Sequence, residues 1–255
     1  KTEGAIVLQI EAAHQVSVDD KNFRLIATAA LRRAENSSDL VDRVLTKCGK
    51  HIEIISPEQE AKYACKGVAY SCDTASQNIV VIEIGGRSTE ITFATDGNIT
   101  QTTSLPIGAV TLYSKFDLHD VIDPEPYKRM MQCISDMLDT HVSKILHIDT
   151  LYATGGTCSA LTAMELRQDE SVLFESHSID GYVLQLESII HQLDLLIGLD
   201  ANGRSKVDGI TSDRAEIIVA GASIAKLVLE KLCTDSMTIH TGGIKLGVLL
   251  EMIDG

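Results

Sequence analysis

The segment IVVIEIGGRSTE (79–90) carries the pattern most suited to chemistry. Four apolar residues, Ile79 to Ile82, read as a buried strand that delivers the Glu83 carboxylate to its end. Gly85 and Gly86 allow a tight turn where backbone can approach a bound group and successive N–H groups can form an anion nest. Ser88, Thr89 and Glu90 then open a return strand. A carboxylate at such a strand end can hold a metal ion or an ordered water. The competing reading is a plain hairpin with a stray acid. A second glycine turn, LYATGGTCS (151–159), again joins a strand to a helix. Its Thr154, Gly155, Gly156 and Thr157 would present the free N–H groups of a helix N-terminus to an anion, although such turns also use glycine for purely structural reasons. Paired with the first loop, it makes the other wall of a phosphate cleft. Neither loop has the Gly-x-Ser-x-Gly spacing of a hydrolase elbow, which argues against a serine hydrolase. Glu60 heads a helix after a short strand; by itself it reads as one more solvated acid.

These residues need elements to hold them. Residues 3–16 place Ile6, Ile10, Ala13 and His14 on one helical face. Phe23–Ala27 is a strand, Asn36 an N-cap for a helix through Leu45, and Ile52–Ile55 a second strand. Ser56, Pro57 and Gln59 form a capping-box start for the helix that carries Glu60. Strands follow at 78–84, 89–94 and 99–105, the last two joined through an Asp96-Gly97 turn. Helices are expected at 109–116 and 124–146, a strand at 150–153, and a helix after Gly156. Further helices are expected at about 180–197 and 213–232, a strand at 237–240, and a last helix at 247–253.

From residue 78 the order is βββ-α-β-α and then α-β-α. The first part reads as the tail of the same unit without its opening strands, so the fold class is α/β with a duplicated unit. Two short strands cannot make an independent sheet, so either the chain is truncated or processed before Lys1 or the opening strands come from elsewhere; the missing piece is expected to be at least roughly 30–40 residues.

Of 255 residues, 36 are acidic and 22 basic, a net charge of −14. Such a surface repels nucleic acid and anionic lipid, so neither nucleic acid nor membrane is an expected partner. A polyanionic substrate would need a metal ion or a local nest to overcome the field. No apolar run reaches about 18 residues, and Glu3 and Glu11 interrupt any signal-peptide layout. The six cysteines lack zinc spacing and read as reduced, mostly buried thiols of a cytoplasmic protein.

Taken together, the strings ATAALRRAEN (27–36), IEIISPEQEA (52–61), IEIGGRSTE (82–90), SLPIGAV (104–110), YATGGTCSAL (152–161), DRAEIIVAGASI (213–224) and GGIKLGVL (242–249) resemble the exopolyphosphatase / guanosine pentaphosphate phosphohydrolase family, in the family's order and over nearly the whole chain. The resemblance implies two ribonuclease H-like domains of the actin and sugar-kinase type, with a cleft between them. Residues 1–66 would be the remainder of the first, lacking its opening three strands, and 67–255 the second. It implies metal-dependent release of a terminal phosphate from inorganic polyphosphate or pppGpp, with Mg²⁺ or Mn²⁺ as cofactor. A noncatalytic polyphosphate or guanosine polyphosphate binder is the alternative. A sugar or acetate kinase fits less well, because no sugar-binding acid lies in the expected context. The oligomeric state stays open, a homodimer included.

By the same resemblance, Glu60 matches the residue that activates water and Glu90 an assisting acid. Glu83 takes the place of a metal-associated aspartate, so the expected metal residues are Glu83 and Glu90. Gly85, Gly86, Arg87 and Ser88 match the phosphate loop, Thr154, Gly155, Gly156 and Thr157 the second loop, and Arg32 an arginine of the first domain. Four departures stand out. Arg87 replaces a glycine and would either contact phosphate or crowd a loop that wants positive φ. Glu83 for Asp moves the carboxylate one methylene further, and Pro57 replaces a glycine. The family's first phosphate hairpin, Asp-x-Gly-Ser-Asn-Ser, is absent, so this piece on its own is expected to be impaired.

Overall fold

The structure is a computed structural model that describes residues 2–15, 23–72, 74, 77–119, 121–143, 147–166 and 179–254. The first lobe begins with helix α1 (Thr2–Gln15), strand β1 (Leu25–Ala27), the short helix α2 (Ala29–Arg32), helix α3 (Ser37–Cys48) and strand β2 (Ile52–Ile54). β1 and β2 pair in parallel, Ile26 opposite Glu53, and stand alone as a two-stranded sheet. Its core is Ile10, Val44 and Ile52, with Ile6, Leu25 and Leu40 packed around them. The side chain of His14 and residue 16 lie outside the described residues. Asn36 occupies the expected N-cap, but its side chain accepts no hydrogen bond there.

Helix α4 (Pro57–Ser71) starts as its sequence requires. The Ser56 hydroxyl accepts from the Gln59 N–H and the Gln59 side chain accepts from the Ser56 N–H, both at about 3 Å (3.2 and 3.0 Å). Strands β3 (Asn78–Ile84), β4 (Thr89–Thr95) and β5 (Asn98–Leu105) form an antiparallel meander. The Asp96-Gly97 turn has both residues left-handed, at φ 51° and 75°, as a two-residue hairpin loop needs. Helices α5 (Ala109–Phe116) and α6 (Pro124–His141) follow; residues 144–146 of the longer expected helix are outside the described set. Strand β6 (Thr150–Thr154), helix α7 (Gly156–Glu165), strand β7 (Val183–Gln185), helices α8 (Leu186–Ile197), α9 (Ala201–Arg204) and α10 (Ile218–Leu232), strand β8 (Ser236–Ile239) and helix α11 (Gly243–Asp254) complete the chain.

The second sheet has order β5-β4-β3-β6-β8-β7. β3, β6 and β8 run parallel, and the meander strands and β7 run antiparallel to their neighbours. This is the expected α/β, ribonuclease H-like arrangement, with β7 as an added edge. Helix α4 runs unbroken through the expected division at residues 66 and 67.

Two expected helices are corrected. The region 180–197 opens with β7, because Val183, Leu184 and Gln185 pair with β8 before the helical face begins at Leu186. The region 213–232 becomes helical only at Ile218; residues 213–217 form turns that tie back to Thr211 and Arg214. The short helices α2 and α9 carry too few residues for periodicity to announce them. The cysteines are free, but only Cys158 is fully buried and Cys233 is exposed. No helix among the described residues is long and apolar enough to cross a membrane.

Candidate active site

Strand alternation decides where the carboxylates point. On β3, Val80, Ile82 and Ile84 enter the main core, while Ile79 and Val81 face Ala64 and Val68 of α4. Glu83 continues the second set. On β4, Ile91 and Phe93 join the main core and Ala94 the α4 side, so Glu90 also faces α4. Register then aligns a polar row across four strands. Ser104 pairs with Glu90, Glu90 with Glu83, and Glu83 with Thr154. The Ser104 hydroxyl donates to Glu90 Oε1 at 2.9 Å.

The first lobe brings the third acid. Parallel pairing of β1 and β2 sets the chain leaving each strand side by side, with the Ile55 N–H donating to the Ala27 carbonyl at 3.0 Å. The turn into α2 therefore lies beside the turn into α4. Arg32, the last residue of α2, donates from Nη1 to the Ile55 carbonyl at 2.6 Å and to Glu60 Oε2 at 3.1 Å. Glu60 is only 3% exposed. Helix α4 is held to the second lobe by its crossing with α11. Gly67 lies against the Gly243 carbonyl and Gly247 against the Tyr63 carbonyl, closer than any side chain would allow.

A cavity of about 260 Å³ results, lined by Glu60, Glu83, Glu90, Thr28–Ala30 and the Gly85–Ser88 loop. The loop's geometry is set by α5. The Ala109 N–H donates to the Gly85 carbonyl, and the Val110 and Thr111 N–H groups donate to the Gly86 carbonyl, at 2.9–3.0 Å. In a trans peptide the N–H lies opposite the carbonyl, so the N–H groups of Gly86 and Arg87 point away from α5. Among the described residues, the N–H groups of Gly86, Arg87 and Ser88 have no acceptor. Arg87 is exposed at the loop tip and is not among the residues with positive φ, and neither are Gly85 and Gly86. The expectation that Arg87 crowds a loop wanting left-handed backbone is thus corrected: α5, not a positive φ, shapes this loop.

The second glycine loop lies in an adjoining cavity of about 510 Å³, lined by Thr154, Gly155, Gly156, Arg214 and Lys245 among others. Glu83 lines both cavities. Gly155 has φ +98°, and a β-carbon there would come within 2.8 Å of the Ile84 carbonyl, so glycine is required where the loop passes β3. Thr157, at 4% exposure, packs against Gly221 of α10 rather than lining the cavity. Arg214 lies over Gly156 and was not singled out in the sequence; its place just before α10, in the string DRAE, was the available signal.

Crowding of acids shifts their protonation. Burial, the Glu90 charge and the Glu60 charge push the Glu83 carboxyl up to about 8, with Lys245 opposing. Burial and the Glu90 charge also raise Glu60, while Arg32 pulls it back. Glu83 as a whole is half-buried, yet its Oε2 is buried and meets no hydrogen-bond partner.

A model of the Ppx/GppA phosphatase family matches residues 1–255. The chain belongs to the Ppx/GppA phosphatase family. The solved Aquifex aeolicus Ppx/GppA phosphatase superimposes with a TM-score of 0.79 at 30% identity, covering 99% of this chain and 81% of that one. An exopolyphosphatase from Cytophaga hutchinsonii superimposes with a TM-score of 0.83 at 21% identity, over 99% of this chain and 82% of that one; at this distance the likeness is one of fold. Among curated family members, a guanosine-5'-triphosphate,3'-diphosphate pyrophosphatase of Vibrio parahaemolyticus is 29% identical over 251 residues, 97% of this chain and 48% of that protein. A protein of the same name from Photobacterium profundum is 26% identical over 250 residues, 96% and 48% of the two chains. The chain spans about half the length of the curated relatives it matches.

Proposed function

We propose that this chain contributes to a phosphoanhydride hydrolase that releases the terminal phosphate of inorganic polyphosphate or of pppGpp. The observation that carries the reading is the meeting of Glu60, Glu83 and Glu90 with the Gly85–Ser88 loop around one cavity of about 260 Å³. Anion binding alone gains nothing from three carboxylates. In this reading the loop N–H groups hold oxygens of the terminal phosphate. Glu60 takes the proton from the attacking water. Its raised pKa suits a general base, and the Arg32 guanidinium fixes its orientation. Thr154, Gly155 and Gly156 would hold phosphate oxygens on the far side of Glu83.

The residues suit Mg²⁺ or Mn²⁺ in a specific way. Among the described residues, no group of three or more His, Cys, Asp or Glu is placed to hold a metal ion. Mg²⁺ commonly uses one or two carboxylates and completes its shell with water and phosphate oxygens. The unpartnered Oε2 of Glu83, beside its cross-strand neighbour Glu90, fits that mode. A bound ion would neutralise charge on the transferring phosphate and would demand an ionised Glu83.

The test is Glu60→Gln, in the protein carrying any residues encoded upstream of Lys1. Phosphate release from polyphosphate and from pppGpp should fall by about 10²–10⁴ with circular dichroism unchanged, the range expected for loss of a general base. Release within about twofold of the unmutated protein would remove Glu60 from the mechanism and leave the noncatalytic binder.

A further inference from the structure

Two arginines at the edge of the carboxylate cavity meet no acid among the described residues. Arg33, at the C-terminal end of α2, and Arg87, at the tip of the Gly85–Ser88 loop, are both exposed. Among the described residues neither forms a salt bridge, whereas Arg24, Arg32 and Arg43 each meet a glutamate within 3.1 Å. Arg129 is exposed and, among the described residues, without a salt bridge too, but it does not line the cavity; what sets Arg33 and Arg87 apart is their place at its edge, where a bound anion would meet them.

The two residues also touch. Arg33 Nη1 donates to the Arg87 carbonyl at 3.1 Å, and the Thr111 hydroxyl donates to the same carbonyl at 3.3 Å. One peptide is therefore held from both lobes, by α2 and by α5. This bond uses one of the five N–H groups of Arg33 and leaves the others for phosphate oxygens. Arg87 lines the cavity, and Arg33 stands one contact further out. The cavity lining thus combines three carboxylates with the loop N–H groups and Arg87, and Arg33 adds a second cation beside it.

We propose that Arg33 and Arg87 form a cationic rim that takes up the phosphates behind the terminal one, making them determinants of specificity for chains of three or more phosphates over pyrophosphate. The proposal rests on the hydrolase reading, since it assumes that the terminal phosphate occupies the carboxylate cavity. A planar guanidinium offers paired donors to phosphate, and exposed charge pairs of this kind weaken with salt.

The experiment is calorimetric titration of pyrophosphate, tripolyphosphate and longer polyphosphate into the Glu60→Gln protein, which cannot consume them, with and without Arg33→Gln or Arg87→Gln. Each substitution should weaken tripolyphosphate about tenfold, leave pyrophosphate within about twofold, and flatten the salt dependence for the longer chains. Arg33→Lys should recover most of the tripolyphosphate affinity. Equal losses for pyrophosphate and tripolyphosphate, or no loss for either, would overturn the rim and leave the hydrolase reading standing. Failure of the parent protein to bind any of the three would overturn both.

Discussion

From Thr2 to Glu60, at the head of α4, the chain supplies two strands of three residues each and a core centred on Ile10, Val44 and Ile52. From Asn78 onward it supplies a six-stranded sheet whose core is continuous from Val80 to Ile239. Yet the candidate site draws on both. The thin lobe gives Arg32 and Glu60, and the thick lobe gives Glu83, Glu90 and both glycine loops. The contrast teaches that the acid proposed as base need not be stabilised by its own sheet. Its helix is anchored instead to the thick lobe, through the crossing of α4 with α11 and through Ala64 and Val68 packed on Ile79 and Val81. Site geometry on the thin side thus rests on packing against the thick lobe.

That contrast can be broken most forcefully in the two cores. Leu161 and Val44 are both fully buried. Leu161→Ala should cost about 3 kcal/mol and lower the melting temperature of the whole chain, whereas Val44→Ala should cost about 1–2 kcal/mol. Hydrogen exchange separates the outcomes: Val44→Ala should speed exchange in residues 25–54 and leave β3 and β6 protected. Equal, global destabilisation by both would mean that the lobes unfold as one unit.

A smaller effect is expected at the joint. Gly247→Ala pushes a methyl group against the Tyr63 carbonyl, where only backbone could give way. A destabilisation of about 2 kcal/mol is expected, with phosphate release falling further than the melting temperature alone would imply, because α4 carries Glu60. Unchanged stability would mean that α4 and α11 slide freely.

The smallest effect concerns protonation in the thick lobe. The folded protein holds a proton on Glu83 up to about pH 8, whereas the unfolded chain releases it near 4.5. Unfolding therefore releases a proton between those values, and this contribution to stability is present below about pH 4.5 and lost as pH rises through 8. Water reaching the cavity softens the penalty, so Glu83→Gln in EDTA should gain about 1–2 kcal/mol at pH 8 relative to pH 5. Melting curves at the two pH values check this; an equal gain at both would show that Glu83 titrates normally.

The sequence by itself determined what is local. The Ser56–Gln59 capping box, the Asp96-Gly97 turn and the alternation of β3 need only neighbouring residues, and each appears in the structure where those residues put it. Motif order was sufficient for the family, but not for the part each loop residue plays, since Thr157 packs against Gly221. Tertiary structure decided the rest, because it depends on partners distant in the chain. Strand register, not spacing, puts Ser104, Glu90, Glu83 and Thr154 in one row. Parallel pairing of β1 with β2 brings Arg32 within 3.1 Å of Glu60, 28 positions away. The same dependence hid β7, whose three residues become a strand only because β8 offers an edge. It also hid the bond from Arg33 to the Arg87 carbonyl, which spans 54 positions and exists only when α2 meets the loop of the other lobe.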